Sequence, residues 1–373
     1  MKNIYFFIGT EAELIKVFPV IIECQNSGNI CHIIASGQND LNKSRIVKNI
    51  QLNGKYVELS KEEDIKKSAK GLLSWFITTK RKAIAIIRQN FDIQMMKDAP
   101  FVVHGDTVST YMGAMIGKKL GCIVCHVEAG LRSHNLLNPF PEEIDRLLTS
   151  RIARVHFAPG EEPVKNLKKV KGKVISTEYN TILDSLNYSK SISVESKEVS
   201  HLLEQDYFVF VMHRQENLMN KEFFEGVLEK IGQLSERKKC VLILHKITEN
   251  ALQQMGKLQE LQTNKNFILL PRVDYFDFMK LLQTAQFVIT DGGSNQEELH
   301  YMGKPCLIMR KTTERNEGIG QNAILFKGNM EQINEFGKQY RKYQCKPVSV
   351  EKSPSQIIAL FLKAIPERKS NGY

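Results

Sequence analysis

Short apolar runs alternate along this chain with stretches whose apolar positions recur every three or four residues. In the first half, residues 4–8, 32–36, 101–104, 123–127 and 155–158 predict strands buried on both faces. Residues 12–23 place Leu14, Ile15, Phe18 and Ile22 on one face of a helix, and a longer helical stretch carries Leu72, Leu73, Phe76, Ile84, Ile86 and Ile87. The second half repeats the alternation, with strands over 207–212, 241–244, 267–270, 287–290 and 305–309 and helices over 221–235, 250–261, 275–285 and 295–302. Strand and helix in strict turn predict βαβ units, hence an α/β protein with mostly parallel sheets.

At 373 residues the chain exceeds what one core usually serves, so two domains are expected. Residues 180–204 lose apolar periodicity and gather Ser, Lys and Asn, which predicts a linker. The expected division is 1–180 for the first Rossmann-like domain and 181–353 for the second. A helix from residue 354 crosses back, so that 354–373 joins the first domain.

Composition narrows the class. Hydrophobic residues make up 42% and charged residues 25%, as in globular proteins. No apolar run approaches the roughly 20 residues of a membrane span, and the N-terminus lacks a cleavable signal pattern, so a cytoplasmic protein without an integral membrane segment is expected. Seven cysteines, odd in number and mostly within apolar runs, fit free thiols in a reducing compartment. Cys122 and Cys125 form a lone C-x-x-C on a strand, where residues three apart face opposite ways, so they predict no zinc site. A net charge of +11 favours an anionic partner, but the charges are dispersed and no nucleic-acid motif accompanies them.

In open parallel sheets, ligands bind beyond the carboxyl ends of the strands. Five strand ends carry candidate chemistry: residues 9–16, 104–107, 126–130, 213–217 and 291–298. A lone acidic residue there is often only a helix cap, but caps do not require a histidine beside the carboxylate after successive strands. In the last segment, paired glycines opening a helix suit a diphosphate, since backbone N–H groups and the helix dipole both favour an anion. Glu298, one turn in, is placed to accept from ribose hydroxyls. Glu142 and Arg146, four apart on one helical face, could pair with each other or face a cleft.

HGDT at 104–107, HVEAGLRS at 126–133, PFPEEIDR at 139–146, HRQEN at 213–217, GGSNQEE at 292–298, GKP at 303–305 and TTERNEG at 312–318 resemble the non-hydrolysing bacterial UDP-N-acetylglucosamine 2-epimerases, in order and over nearly the whole chain. The resemblance implies a glycosyltransferase-B-like fold of two Rossmann-like domains with an interdomain active-site cleft. It implies C2 inversion of a UDP-2-acetamido sugar through a 2-acetamidoglucal held beside UDP, in surface polysaccharide synthesis, by a homodimer. Asp106, Glu128 and Glu142 would be the acid/base carboxylates, with Lys16, Arg146 and His213 steadying substrate and departing phosphate. Gly292, Gly293 and Ser294 would hold phosphates, Glu298 the ribose and Phe278 the uracil, and Arg315 would add charge near the nucleotide. No metal or nicotinamide is implied.

Three places depart from that family's pattern. Its first loop usually reads GTRPEAIK, whereas Glu11 stands here where the arginine would be, which replaces a favourable charge by a repulsive one. Residues 37–40 read GQND where Gln-His-Arg helps bind a regulatory nucleotide sugar, and the phosphate loop reads Gly-Gly-Ser where Ser-Gly-Gly is usual. These leave room for a modified sugar and for two alternatives, a hydrolysing 2-epimerase or a UDP-sugar glycosyltransferase on the same fold. A non-enzymatic sensor would leave three carboxylates without a task.

Overall fold

The computed structural model describes residues 1–64, 69–135, 140–313 and 315–366. Of the expectations above, Pro139, Glu314 and the closing residues 367–373 lie outside the described residues. The chain divides into two compact units, one of Met1–Ser185 with the segment from Glu351, the other Leu186–Val350.

The first unit carries β1 (Asn3–Ile8), β2 (Ile30–Ala35), β3 (Tyr56–Glu58), β4 (Pro100–His104), β5 (Ile123–Val127), β6 (Val155–Ala158) and β7 (Lys173–Ser176), all parallel, in the order β3-β2-β1-β4-β5-β6-β7. The second carries β8 (Tyr207–Val211), β9 (Lys239–Leu244), β10 (Phe267–Pro271), β11 (Val288–Thr290), β12 (Cys306–Ile308) and β13 (Ala323–Leu325), also all parallel, in the order β10-β9-β8-β11-β12-β13. Both orders run outward from the first strand one way and then reverse, the doubly wound pattern. Each sheet therefore has a switch point, at β1/β4 and at β8/β11, where neighbouring loops part and leave a crevice.

The strands form where β-branched and aromatic residues run without polar interruption, because parallel strands are covered on both faces. All five residues of β4 and of β8 are buried. Close packing of helix on sheet is built into the helix Val108–Lys119, where a Cβ added at Gly113 would lie 2.5 Å from Phe7 and one at Gly117 2.7 Å from Phe101. In the second unit Phe287 stacks on Phe208 at 4.9 Å and meets Phe336 edge-on at 5.6 Å. The last helix, Pro354–Ala364, packs on the helix Glu11–Asn26, and the Ser355 N–H donates to the buried Asp184 carboxylate at 2.7 Å.

Two readings of the pattern are corrected. Residues 180–204 are no featureless linker but carry the helices Ile182–Ser189 and Lys197–Leu202, which bury Leu183, Leu186, Val199 and Leu202. Helices of about two turns or fewer give too few repeats for a period to show. The helix expected over 250–261 is two, Lys246–Gln254 and Leu258–Thr263, divided at Gly256, whose φ of 70° ends the first. The pattern also passed over β3, β7 and β13, each three or four residues long. Among the described residues no helix is long and apolar enough to cross a membrane.

Phe287→Ala should lower the unfolding free energy by about 3–5 kcal/mol in urea titrations, since it removes a ring packed on three aromatic neighbours. A loss below about 1 kcal/mol would mean that the surrounding side chains close the cavity.

Candidate active site

In the first unit the site grows from the switch point outward. Thr10 caps the helix Glu11–Asn26 in a capping box with Glu13, and the Glu13 carboxylate also accepts from the Gly9 N–H at 2.6 Å. Its other oxygen accepts from the Thr107 hydroxyl, and Thr107 caps the helix Val108–Lys119. One carboxyl thus joins the loop after β1 to the loop after β4. Burial pushes Glu13 up to about 7, with nearby Asp106 acting the same way against the hydrogen bonds from Thr107, Gly9 and Thr10.

Glu128 follows β5 in a left-handed conformation, φ 61°, which few non-glycine residues adopt and which turns its side chain back over the strand ends. The Lys16 ammonium meets both of its oxygens at 2.7 Å, and the Asn180 amide donates to one at 2.8 Å. His104 Nε2 lies 3.2 Å from the other, its ring pushed down to about 3 by burial and hence neutral. His126 bonds through Nε2 to the Gly105 carbonyl at 2.7 Å, which fixes the loop that carries Asp106.

Arg146 comes from the helix Glu142–Ile152 and pairs with Asp106 and, at 3.2 Å, with Glu143. Glu143 is itself held by Arg132 Nε at 2.6 Å and the Ser133 N–H at 3.0 Å. Arg146 therefore does not pair with Glu142, as its spacing had allowed; it serves the loop beside it. Lys16 with Glu128 and Arg146 with Asp106 are brought together, and Glu142 stands on the same helical face as Arg146.

In the second unit Asp291, fully buried at the end of β11, gathers the turn after β8. Its carboxylate accepts from the backbone N–H groups of His213 at 3.0 Å and Arg214 at 2.9 Å and from the Asn217 amide at 3.0 Å. His213 Nδ1 lies 3.4 Å from Asp291, and the ring stacks on His245 at 4.5 Å; burial lowers the pKa of His213. A Cβ at Gly292 would lie 2.6 Å from the Asn295 amide oxygen and 3.1 Å from His213, so any larger residue would push the Asn295 side chain aside.

The helix Gly293–Met302 begins there with no side chain capping its first turn, an arrangement open to an anion. A Cβ at Gly293 would lie 3.5 Å from Arg315 and 3.8 Å from Arg310, so two guanidinium groups flank that helix start. Arg315 is paired with buried Glu297, and Gln296 holds its loop through the carbonyls of Arg315 and Glu317, both at 3.0 Å. Glu298 is buried and accepts from Asn295 at 3.2 Å. Ser294 is exposed on the first turn, and Phe278 is half-buried on the helix Tyr275–Thr284.

Several residues that hold the site were given no role of their own by the sequence, although most lie in segments that it singled out. Glu13 fits a capping box and Asp291 follows a strand, so both had a local signal. Glu143 stands three residues before its partner Arg146, and His245 also follows a strand; Asn180 had no local signal, since Glu128 lies 52 positions away.

Two parallel, doubly wound sheets with basic and acidic side chains at their carboxyl ends define a two-unit α/β protein, and comparison with known structures gives it a glycosyltransferase-B-like fold. A UDP-N-acetylglucosamine 2-epimerase of Methanocaldococcus jannaschii in complex with UDP-GlcNAc and UDP superposes with a TM-score of 0.77 at 27% identity, over 97% of this chain and all of that one. The Neisseria meningitidis enzyme bound to UDP-GlcNAc gives 0.74 at 26%, over 97% of this chain and all of that one. In sequence, the M. jannaschii epimerase is 30% identical over 337 residues, 86% of this chain and 87% of that protein. The family model of UDP-N-acetylglucosamine 2-epimerase matches residues 23–354, and the chain belongs to that family.

Glu13 gives a pH test. Its folded-state pKa of about 7 exceeds the ordinary 4.5, so the stability it contributes is complete below about 4.5 and lost as pH rises through 7. Between pH 4.5 and 8 the wild type should lose roughly 3 kcal/mol relative to Glu13→Gln in chemical denaturation. A pH-independent difference would mean that Glu13 is not held neutral.

Proposed function

We propose that the chain catalyses reversible C2 epimerisation of UDP-N-acetylglucosamine, or of a closely related UDP-2-acetamido sugar, in the cytoplasm, as a homodimer supplying surface polysaccharide synthesis. Membership of the epimerase family supports the activity. The observation that carries the reading is the group at the first switch point, where Asp106 and Glu128 are each held by a cation.

In this reading the chemistry divides between the units. Gly292, Gly293 and Ser294 bind the phosphates at the helix start, Arg315 adds charge there, Glu298 binds the ribose and Phe278 the uracil. Cleavage of the bond between C1 and the UDP oxygen builds negative charge on the leaving phosphate, which N–H groups and guanidinium groups stabilise more strongly as it grows. His213 and Arg146 steady the departing group. In the first unit Asp106, Glu128 and Glu142 supply the acid/base groups that take the C2 proton on one face and return one on the other, and Lys16 keeps Glu128 oriented. Loss of the proton and of UDP gives a 2-acetamidoglucal; readdition of UDP at C1 with protonation at C2 restores a nucleotide sugar.

Incubation with UDP-N-acetylglucosamine in deuterated water, without acceptor, should place deuterium at C2 and yield both epimers as UDP-sugars by NMR. Release of free sugar and UDP would point to hydrolysis, and absence of exchange to transfer. Glu128→Gln and Asp106→Asn should each cut exchange by about 10²–10⁴-fold with circular dichroism unchanged, and a wild-type rate in either would remove that residue from the set.

A further inference from the structure

We propose that Glu143 is a positioning residue: through Arg146 and Arg132 this one buried carboxylate fixes the segments that carry Asp106, Glu128 and Glu142 relative to each other. The inference rests on the reading of those three as the acid/base groups and deepens it.

Glu143 follows Glu142 in the first turn of the helix Glu142–Ile152 and is fully buried. Both of its oxygens are taken. Oε1 accepts from Arg132 Nε at 2.6 Å, and Oε2 accepts from the Ser133 N–H at 3.0 Å and from Arg146 Nη1 at 3.2 Å. The fork of Arg146 is divided, with Nη1 on Glu143 and Nη2 on Asp106. A planar guanidinium gripped at both ends is held against rotation, so the Asp106 carboxylate meets a donor of fixed direction.

The remaining contacts lead towards Glu128. Arg132 and Ser133 stand four and five positions after it, in the loop that leaves β5. Between Glu128 and Arg132, Gly130 adopts φ 90°, its carbonyl accepts from the Asn166 amide at 3.0 Å, and a Cβ there would lie 2.4 Å from the Pro163 carbonyl oxygen. A segment this short and pinned at its middle has little slack, so a shift at Arg132 is passed back to Glu128.

The helix dipole alone would favour a carboxylate in this turn, but Glu142 already supplies one, and the dipole does not require burial. Burial by itself would raise the pKa of Glu143; the Ser133 N–H, Arg132 and Arg146 together outweigh it and lower the pKa instead. A carboxylate kept ionised in this way neither gives nor takes a proton near neutrality, so its task is geometric.

Glu143→Gln tests this, because the amide has one acceptor oxygen and an NH2 group that must face either Arg132 or the Ser133 and Arg146 donors; one set of contacts is lost at nearly constant volume. In this variant kcat for C2 exchange should fall about 10²-fold while KM and the Kd for UDP stay within about threefold, since displaced acid/base groups affect the chemical step and not nucleotide binding. Glu143→Asp, with two acceptor oxygens on a shorter stem, should recover about tenfold of that loss. Amide hydrogen exchange of the free Glu143→Gln chain, read without substrate, should quicken about tenfold in residues 104–110 and 128–133 as well as in the helix. A wild-type kcat in folded Glu143→Gln, equal rates in the Gln and Asp variants, or faster hydrogen exchange confined to 142–152 overturns the proposal. If Glu143→Gln does not fold, Arg132→Lys takes its place, since lysine keeps the charge without a fixed Nε donor; kcat should then fall about tenfold with KM unchanged, and a wild-type kcat overturns the proposal. If the wild-type chain exchanges C2 of no UDP-2-acetamido sugar, the proposed activity fails, and amide hydrogen exchange alone then upholds or overturns the positioning role.

Discussion

A carboxyl group removed from water must be met by donors or keep its proton, and that constraint shapes the acidic site residues of this chain. Glu128 satisfies it with Lys16 and Asn180, and Asp291 with two backbone N–H groups and an amide. Burial pushes Asp145 up to about 7, and Glu13 likewise although both of its oxygens accept hydrogen bonds. Carboxyls held by cations and carboxyls whose pKa burial raises therefore share the first unit. This is the division of labour that acid/base chemistry near neutral pH requires, since one group must accept while another still has a proton to give.

The sheets put these groups where they can be used. Strand order reverses at β1/β4 and at β8/β11, and each reversal parts two loops at the carboxyl edge. In the first unit Glu13 spans that gap and Lys16 reaches Glu128 from the first helix turn but one; in the second, Asp291 spans it and His213 leans on both Asp291 and His245. The same topology thus serves two tasks. One unit gathers carboxyls and cations, and the other presents a glycine-opened helix start between two arginines.

The departures from the family pattern acquire partners as well. Glu11, where an arginine is usual, donates its N–H to the Asn39 side chain at 3.1 Å, and the Asn39 N–H donates to the Gly9 carbonyl at 2.9 Å. Gln38 accepts from the Ser109 hydroxyl at 2.6 Å. Gln38 and Asn39 here brace the loop after β1 through uncharged side chains.

The sequence by itself determined the alternation of buried strands and helices, the five strand ends that carry chemistry and the family, because apolar period and motif are properties of neighbouring residues. It could not show the short edge strands, the two helices within 180–204 or the break at Gly256, where too few repeats stand for a period to emerge. Only the tertiary structure decided who pairs with whom: Lys16 with Glu128 across 112 positions, Arg146 with Asp106 and not Glu142, Asn180 with Glu128. Pairing depends on which strand ends the sheet order makes adjacent and on how deeply each charge is buried, and both are settled when the whole sheet closes.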